Sequence, residues 1–385
     1  MTVLQRETTA DQVLDSARAL APTIVERADQ IEADRRLPRD LLDELVAAGC
    51  LRILLPRSHG GVGADLPSTL QLFETLAAAD GSVAWTVMIG SSGWLDLAGL
   101  SRRAFDALFA GTSDVIVAGV FAPTGTIRAA GSGYRVTGRW GFASGCEHAT
   151  WVYGNCLEET GDGPCLRMAV FSPDQIEVED TWTASGLCGT GSHHIRVTDT
   201  LVPGERTLLP LADEPSIDEP VVRVPVPALL ALAVASVAVG IAQGALDDAV
   251  ALATHRVPLL AAAPLAADPL FRADLADCEA GVRAARALLH QSAATLWAMA
   301  VDAAPITLRQ RAEARAAAVW ATDQAAAVVT AAYRSGGGTA LYRTCPLQRR
   351  LRDVHALTQH FLVRRGTLTT AGAVLAGQDV DVGVF

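Results

Sequence analysis

Two histidines near the end of the chain have side chains that can move a proton near neutral pH. His355 and His360 lie in the segment "RDVHALTQHFLVRRGT", residues 352–367, which has no carboxylate after Asp353. An imidazole can donate a hydrogen bond or transfer a proton near pH 7. The segment offers no carboxylate base for removing a proton next to a carbonyl group. A purely structural role in helix packing stays open for each histidine.

A second candidate is a loop that interrupts a strand pattern. In "RWGFASGCEHATW", residues 139–151, Ser144 is followed by glycine. The hydroxyl and the backbone amides of this loop are suited to a planar ligand, with Phe142 or Trp140 against its face. The alternative is a β turn with a structural serine. A similar run of small residues, "GLCGTGSHH", follows at 186–194, but neither run has the strand-to-helix context of a phosphate-binding loop.

A third candidate is the run "SGGGT" at residues 335–339, after an Ala-rich helical pattern. It is typical of a helix C-cap and turn, or of a backbone that approaches a pyrophosphate closely. A metal site is not expected. His193 and His194 are adjacent and point in opposite directions on a strand, and none of the seven cysteines forms a CxxC pair.

Composition limits the partners. The net charge is −11, which disfavours nucleic acid because phosphate binding needs a basic face. The N-terminal residues are polar and acidic without a signal-peptide core, so a cytoplasmic protein is expected. Residues 224–246 carry no charge and are long enough to span a bilayer. The Ala- and Val-rich run begins with two prolines and continues as an amphipathic pattern, which favours a buried core helix.

The periodicity divides the chain into three regions that would position these candidates. Apolar residues recur at helical spacing from residue 10 to 118, alternate as in strands from 119 to 205, and return to helical spacing from about 222. We therefore predict an α+β protein with three domains, at 1–118, 119–215 and 216–385. The central domain is predicted to be a mostly antiparallel β barrel or sandwich between helical layers.

Taken together and in this order, several segments resemble the acyl-CoA dehydrogenase fold. Within it, the chain resembles the flavin-dependent monooxygenase branch, and its tail is most similar to hydroxylases of indole-type substrates. The resemblance covers roughly residues 15–385. The segments that carry it are "LLPRSHGGVGAD", "DGSVAW", "FAPTGT", "GYRVTGRWGFASGCEHATW", "GLCGTGSHHIRV", "VP" at 202–203 and "GGGTALYRTCPLQRRLRDVHALTQH".

The resemblance implies a fold and a cofactor site. The fold is an N-terminal helical domain, a central antiparallel β barrel or sandwich and a C-terminal four-helix bundle. Reduced FAD, or FMN, would lie between the β domain and the C-terminal helices of a homotetramer or homodimer. The implied cofactor contacts are Ser144 near the flavin N5, Phe142 on the isoalloxazine ring, Phe121, Thr124 and Gly125 along its other edge, Arg256 at a phosphate or adenosine across a subunit interface, and Gly337 and Gly338 at the pyrophosphate.

The resemblance also implies the reaction. Where most acyl-CoA dehydrogenases carry their catalytic glutamate, this chain has Phe361, next to His360. The implied catalytic residues are therefore Ser144 and His360, and no metal takes part. A separate NAD(P)H:flavin reductase would supply reduced flavin, and dioxygen would add at the flavin C4a. The resulting hydroperoxide would hydroxylate an aromatic small molecule. Phenol hydroxylases of this branch carry a histidine where this chain has "SSGW", Ser91–Trp94, so an indole-type ring is favoured.

Two alternatives remain open from the sequence. The first is an acyl-CoA dehydrogenase or oxidase whose base is not recognised; it would act on acyl-CoA without a reductase. The second is a non-catalytic paralogue without cofactor, or a membrane-associated protein that uses residues 224–246. Failure to bind flavin in either redox state would favour the second alternative.

Overall fold

The computed structural model describes residues 8–380 except 111, 113, 162 and 211. The N-terminal region is helical, as predicted. Its helices are α1 (Ala10–Asp34), α2 (Arg39–Ala47), α3 (Leu66–Ala79), α4 (Gly81–Ser92) and α5 (Arg102–Leu108). Thr9 begins α1 with a capping box, because its hydroxyl accepts the Gln12 amide while the Gln12 side chain accepts the Thr9 amide. Asp80 caps α4 by accepting the amides of Ser82 and Val83.

The central region is one seven-stranded sheet. Its strands are β1 (Val117–Ala130), β2 (Gly133–Trp140), β3 (Trp151–Thr160), β4 (Gly163–Phe171), β5 (Glu177–Glu179), β6 (His194–Pro203) and β7 (Thr207–Leu208). They lie in the order β5-β6-β2-β1-β3-β4-β7. The sheet is mixed rather than purely antiparallel, since β1 and β3 pair in parallel. The reason is that β2 returns beside β1, and the chain then crosses the start of β1 to begin β3 on its other side.

The C-terminal region is again helical. Its helices are α6 (Pro220–Arg223), α7 (Val226–His255), α8 (Pro269–Val301), α9 (Leu308–Ser335), α10 (Pro346–Leu357) and α11 (Thr367–Leu375). Helix α7 packs against α8, α9 and α10, and also against α3 of the N-terminal region. The helical, strand and helical order that the sequence predicted is therefore confirmed.

Helix α7 contains the uncharged run of the sequence. By length and composition alone it could cross a membrane, but 89% of its most apolar window is buried inside the structure. Alanine and glycine on this helix let its neighbours approach closely. A Cβ on Gly240 would lie 2.4 Å from the Glu74 carbonyl oxygen of α3. The helix is apolar on all sides because other helices and not lipid surround it here, as the core-helix interpretation predicted.

The core of the sheet is built around Trp140, the last residue of β2. Its side chain is fully buried, and its indole Nε1 donates a 2.7 Å hydrogen bond to the Asn155 carbonyl oxygen. Three glycines face the ring, because a Cβ on Gly125, Gly138 or Gly154 would lie 2.3, 2.5 or 2.6 Å from an indole atom. Trp140 therefore packs inside the β domain and does not lie against a ligand, which leaves Phe142 as the aromatic candidate of this loop.

Candidate active site

Ser144 lies on the crossover loop between β2 and β3. The loop begins with Phe142 in the left-handed region, at a φ of 66°, which is uncommon for an aromatic residue and stores strain. This conformation leaves the Phe142 ring 73% exposed, with its edge near the Trp182 ring at 6.2 Å. Ser144 itself is buried. The loop thus presents an exposed aromatic ring two residues from a buried hydroxyl group.

The two loops of small residues pack together. The amide of Ala143 donates to the His193 carbonyl oxygen at 3.0 Å, and the amide of Gly145 donates to the Thr190 carbonyl oxygen at 2.9 Å. The sequence placed these loops in one domain, but only the fold joins them. They form a single surface at the end of the sheet where the crossover passes.

The Arg-Asp pair of the tail holds the second loop in place. Asp353 of α10 accepts the Leu187 amide at 2.6 Å, and Arg352 donates to the Ser185 carbonyl oxygen at 2.6 Å. Burial, together with the nearby carboxylate of Asp80, raises the pKa of Asp353 to about 7. The pair therefore fixes the position of the β-domain loop against the C-terminal helices.

The Ser144 hydroxyl takes part in a buried chain of hydrogen bonds. Trp85 of α4 donates its Nε1 proton to the Ser144 Oγ at 3.0 Å. The Ser144 Oγ lies 2.7 Å from the Ser192 Oγ, which lies 2.7 Å from the Thr190 Oγ1. The Thr190 hydroxyl in turn donates to the Leu187 carbonyl oxygen at 2.8 Å. Residues of the N-terminal and central regions thus orient one hydroxyl group.

His360 also contacts Trp85. Helix α10 ends at Leu357, so His360 belongs to the following turn and not to the helix that the sequence pattern suggested. Its ring meets the Trp85 ring edge-on at 5.3 Å. Its Nδ1 accepts the Leu362 amide at 3.4 Å, so the neutral ring carries its proton on Nε2. Within the described part of the chain, nothing bonds to that Nε2.

Burial lowers the pKa of His360 to about 4. The imidazole is therefore neutral at pH 7, and it can donate a hydrogen bond from Nε2 without carrying a charge. Trp85 contacts His360 through its ring and Ser144 through its Nε1. The structure thus brings the two predicted catalytic residues into contact with a single indole side chain.

His355 lies elsewhere. It is exposed on α10, and its Nε2 lies 3.2 Å from the Thr330 hydroxyl of α9. No ring or hydrogen-bond contact joins it to Trp85 or Ser144 within the described residues. The two histidines that are close in sequence therefore differ in surroundings, because a turn intervenes between them.

The predicted edge residues Phe121, Thr124 and Gly125 all lie on β1. The register of β1 with β3 is interrupted between Val120 and Gly125, and its register with β2 begins only at Thr126. Residues 121–124 therefore fall in an irregular part of the pairing, where the Asn155 Nδ2 donates to the Phe121 carbonyl oxygen at 2.8 Å. Thr124 is exposed, and its hydroxyl bonds the Arg139 carbonyl oxygen.

Arg256, Gly337 and Gly338 form a second cluster. Arg256 lies just after α7 and donates to the Ser335 carbonyl oxygen at 2.9 Å. Gly337 has a φ of 50°, and a Cβ there would lie 2.5 Å from the Arg256 Nη2. A Cβ on Gly338 would meet nothing within 4 Å, so this backbone is open to solvent. Among the described residues, no hydrogen bond links this cluster to Ser144 or His360.

Sequence reasoning did not assign a role to four residues of the site. Trp85 appears in the segment "DGSVAW", which was noted only as part of the resemblance, and its position beside Ser144 depends on how α4 packs against the sheet. Thr190 and Ser192 lie in the "GLCGTGSHH" loop, where small polar residues were the only signal. Asp353 was noted as part of an Arg-Asp pair, but its bond to Leu187 joins residues 166 positions apart.

Comparison with known proteins agrees with this architecture. The acyl-CoA dehydrogenase N-terminal domain model matches residues 7–99, and the acyl-CoA dehydrogenase C-terminal domain model matches residues 232–365. The chain is 31% identical to an indole-3-acetate monooxygenase of Pseudomonas putida, over 96% of this chain and 93% of that protein. It is 32% identical to the HsaA oxygenase subunit of a flavin-dependent monooxygenase of Rhodococcus jostii (strain RHA1), over 89% and 92%.

A solved structure is similar over nearly the whole chain. The crystal structure of a 3-HSA hydroxylase from Rhodococcus sp. RHA1 superposes with a TM-score of 0.90 at 28% sequence identity, covering 97% of this chain and 99% of that one. Sequence and fold agree across all three regions of the molecule. This chain therefore belongs to the acyl-CoA dehydrogenase family, in its flavin-dependent monooxygenase branch.

Proposed function

We propose that this protein is the oxygenase component of a two-component system and hydroxylates an aromatic small molecule with reduced flavin. The observation that carries the proposal is the Trp85 side chain, which contacts both the Ser144 hydroxyl and the His360 ring. Two polar groups are thereby held at one place, one on the β domain and one on the C-terminal domain. The names of the relatives, which are monooxygenases and one oxygenase subunit, support the reaction class.

The residues present fit a flavin. The exposed Phe142 ring offers a face to a planar heterocycle, and its left-handed backbone holds it away from the core. Residues 122–124, beside the irregular pairing of β1, are exposed and can meet the edge of a ligand. The Ser144 hydroxyl lies on the same crossover loop as Phe142. Reduced FAD, with FMN as the alternative, would supply the electrons that activate dioxygen.

His360 would act as a neutral hydrogen-bond donor. A charged imidazolium is disfavoured because burial lowers the pKa of this ring. The free Nε2 proton can be directed at an oxygen atom in the site and stabilise developing negative charge there. Trp85 and Phe361 pack against the ring at 5.3 and 4.9 Å and limit the access of water to it.

The acyl-CoA dehydrogenase alternative is disfavoured because the candidate bases have other partners. Phe361 stands at the position of the usual glutamate and is half exposed. In the part of α7 that could provide the alternative acid, the first carboxylates are Asp247 and Asp248, and Asp248 is paired with Arg350 at 3.0 Å. A thioester α-proton needs a base within reach. The Asp353 carboxylate accepts the Leu187 amide instead.

The second cluster supports an oligomer. Arg256 and the Gly337–Gly338 backbone are together suited to a pyrophosphate, because an arginine can bond phosphate oxygens and an open glycine backbone admits them. We infer that this cluster binds the nucleotide half of an FAD whose ring lies at the Ser144 site of a neighbouring subunit. A homotetramer or homodimer follows from that arrangement. Leu259 and Leu260, close to Arg256 in sequence, are 92% and 98% exposed. They supply apolar surface for a contact between subunits.

The remaining partners follow from the reaction. A separate NAD(P)H:flavin reductase supplies the reduced flavin, in keeping with the oxygenase-subunit name of one relative. The other two reactants are dioxygen and an aromatic substrate. We infer a cytoplasmic enzyme that binds neither membrane nor nucleic acid, because α7 is a core helix and the net charge is −11.

Flavin titration tests the proposal. Reduced FAD is expected to bind tightly and oxidised FAD weakly, since the protein receives its flavin already reduced from the reductase. Anaerobic and aerobic titrations that follow the flavin absorbance give the two dissociation constants. Efficient NAD(P)H oxidation by the protein alone, or tight binding of the oxidised form only, would contradict the proposed role.

The substrate preference is tested with indole. In the presence of a generic flavin reductase, NADH and air, indole is expected to yield a blue pigment through 3-hydroxylation. The reason is that the stretch Ser91–Trp94, which has no histidine, stands where several phenol hydroxylases of this branch carry one to deprotonate the phenol. Turnover of simple phenols without any hydroxyindole product would reverse the preference.

A further inference from the structure

The chain of hydrogen bonds fixes the acceptor to which the Ser144 hydroxyl donates its proton. The Thr190 Oγ1 lies 2.8 Å from the Leu187 carbonyl oxygen. Two oxygen atoms at that distance repel each other unless a proton lies between them, and a carbonyl has none to give. Thr190 is therefore the donor. Since a hydroxyl group has one proton, Thr190 must act as acceptor toward Ser192.

The direction of donation can then be followed along the chain of hydrogen bonds. Ser192 donates to Thr190, so in its contact with Ser144 it must be the acceptor. Ser144 therefore gives its only proton to Ser192. It also accepts the Trp85 Nε1 proton at 3.0 Å. What remains on the Ser144 oxygen is a lone pair, so toward any ligand in the site this residue is an acceptor and not a donor.

This polarity discriminates between the two redox states of a flavin. The N5 of oxidised flavin carries a lone pair and no proton, whereas the N5 of reduced flavin carries a proton. We propose that Ser192 and Thr190 are positioning residues that hold Ser144 as a hydrogen-bond acceptor, and that this selects reduced over oxidised flavin. The inference rests on the proposed function, in which Ser144 lies next to N5.

Burial of the three hydroxyl groups keeps these directions of hydrogen-bond donation fixed. Ser144, Ser192 and Thr190 are 7%, 4% and 2% exposed, so water does not compete for their protons. A buried hydroxyl that faced a lone pair instead of a proton would lose a hydrogen bond and create a repulsion. The Leu187 carbonyl oxygen also accepts the Thr190 amide at 3.2 Å and the Trp182 Nε1 at 3.1 Å. It would keep two donors if the Thr190 hydroxyl were removed.

Thr190→Val tests the inference, with Thr190→Ser as its matched control. Valine has nearly the shape of threonine but cannot accept a hydrogen bond. Ser192 must therefore donate its proton to Ser144. Ser144 then directs its own proton into the site. The ratio of the dissociation constants of oxidised and reduced FAD is expected to fall about tenfold in Thr190→Val, the scale of one such hydrogen bond. Thr190→Ser retains the hydroxyl and should keep the parent ratio.

A second readout is the midpoint potential of the bound FAD. Weaker preference for the reduced form lowers the potential, by about 30 mV for a tenfold change in a two-electron couple. Ser192→Ala should act in the same direction, since it frees the Ser144 proton. In a Ser144→Ala background, Thr190→Val should leave the ratio unchanged, because the residue through which it acts is gone.

The outcomes are distinct. A parent that prefers reduced FAD and a Thr190→Val variant with the same ratio would overturn the inference while leaving the proposed function in place. An equal increase in both dissociation constants would also overturn the inference, because that result indicates only a damaged loop. A parent that binds FAD in neither redox state would overturn both the inference and the proposed function.

Discussion

His360→Ala is expected to lower the rate of hydroxylation about 100-fold, the usual scale for a positioned acid–base or hydrogen-bonding group. The protein should still fold and bind reduced flavin. The reason is that the Nε2 of His360 has no partner in the described part of the chain, whereas its Nδ1 and ring face are used to hold it in place. Single-turnover kinetics with pre-reduced flavin measures the effect, since this separates hydroxylation from the reductase step.

The matched control for this substitution is His355→Ala. His355 is exposed and bonds Thr330 at the surface between α9 and α10, so its loss should leave the hydroxylation rate within about twofold. A His360→Ala variant that folds, binds reduced flavin and hydroxylates at the parent rate would show that this histidine only packs the site.

The low pKa of His360 adds a dependence on pH. The folded protein keeps the ring neutral down to about pH 4, while the unfolded chain binds a proton below about 6.5. The free energy of unfolding should therefore decrease as the pH falls from 6.5 to 4, because the unfolded state gains a proton that the folded state does not. Denaturant titrations at several pH values should show a shallower decrease for His360→Ala than for the parent.

Trp140→Ala is expected to lower the free energy of unfolding by about 3–5 kcal/mol, the range for removing a buried large aromatic side chain. The indole is fully buried against three glycines and donates its Nε1 proton to the Asn155 carbonyl oxygen. Removing it leaves a cavity that glycines cannot fill, and an unpaired carbonyl group. Urea unfolding followed by circular dichroism measures the loss.

Phe142→Ala is the control for that prediction. This ring lies two residues further along the chain but is 73% exposed, so its removal should change the free energy of unfolding by less than about 1 kcal/mol. The affinity for reduced flavin should decrease instead. The opposite pattern, with a stable Trp140→Ala and an unstable Phe142→Ala, would exchange the roles that the structure assigns to the two aromatic residues.

The sequence by itself determined the order of the three regions and the family. Helical and strand periodicities are local properties of the chain, so the change near residue 119 and the return to helices near 222 could be read directly. The uncharged run of α7 was also recognisable as a core helix, because its composition and flanking prolines favoured burial over a membrane span. The missing carboxylate around Phe361 was visible as soon as the Arg-Asp pair had been located.

Only the tertiary structure decided which of these residues meet. Periodicity does not show that Trp85 contacts both Ser144 and His360, since the three lie in different regions of the chain and are separated by 59 residues or more. The sequence offered Phe142 or Trp140 for the ring face. Only the pairing of β1, β2 and β3 brings one glycine from each strand against Trp140, which makes it a core residue. The direction of the Ser144 proton depends on a carbonyl oxygen 43 residues away. Contacts of this kind arise from packing between distant segments, which local propensity does not record.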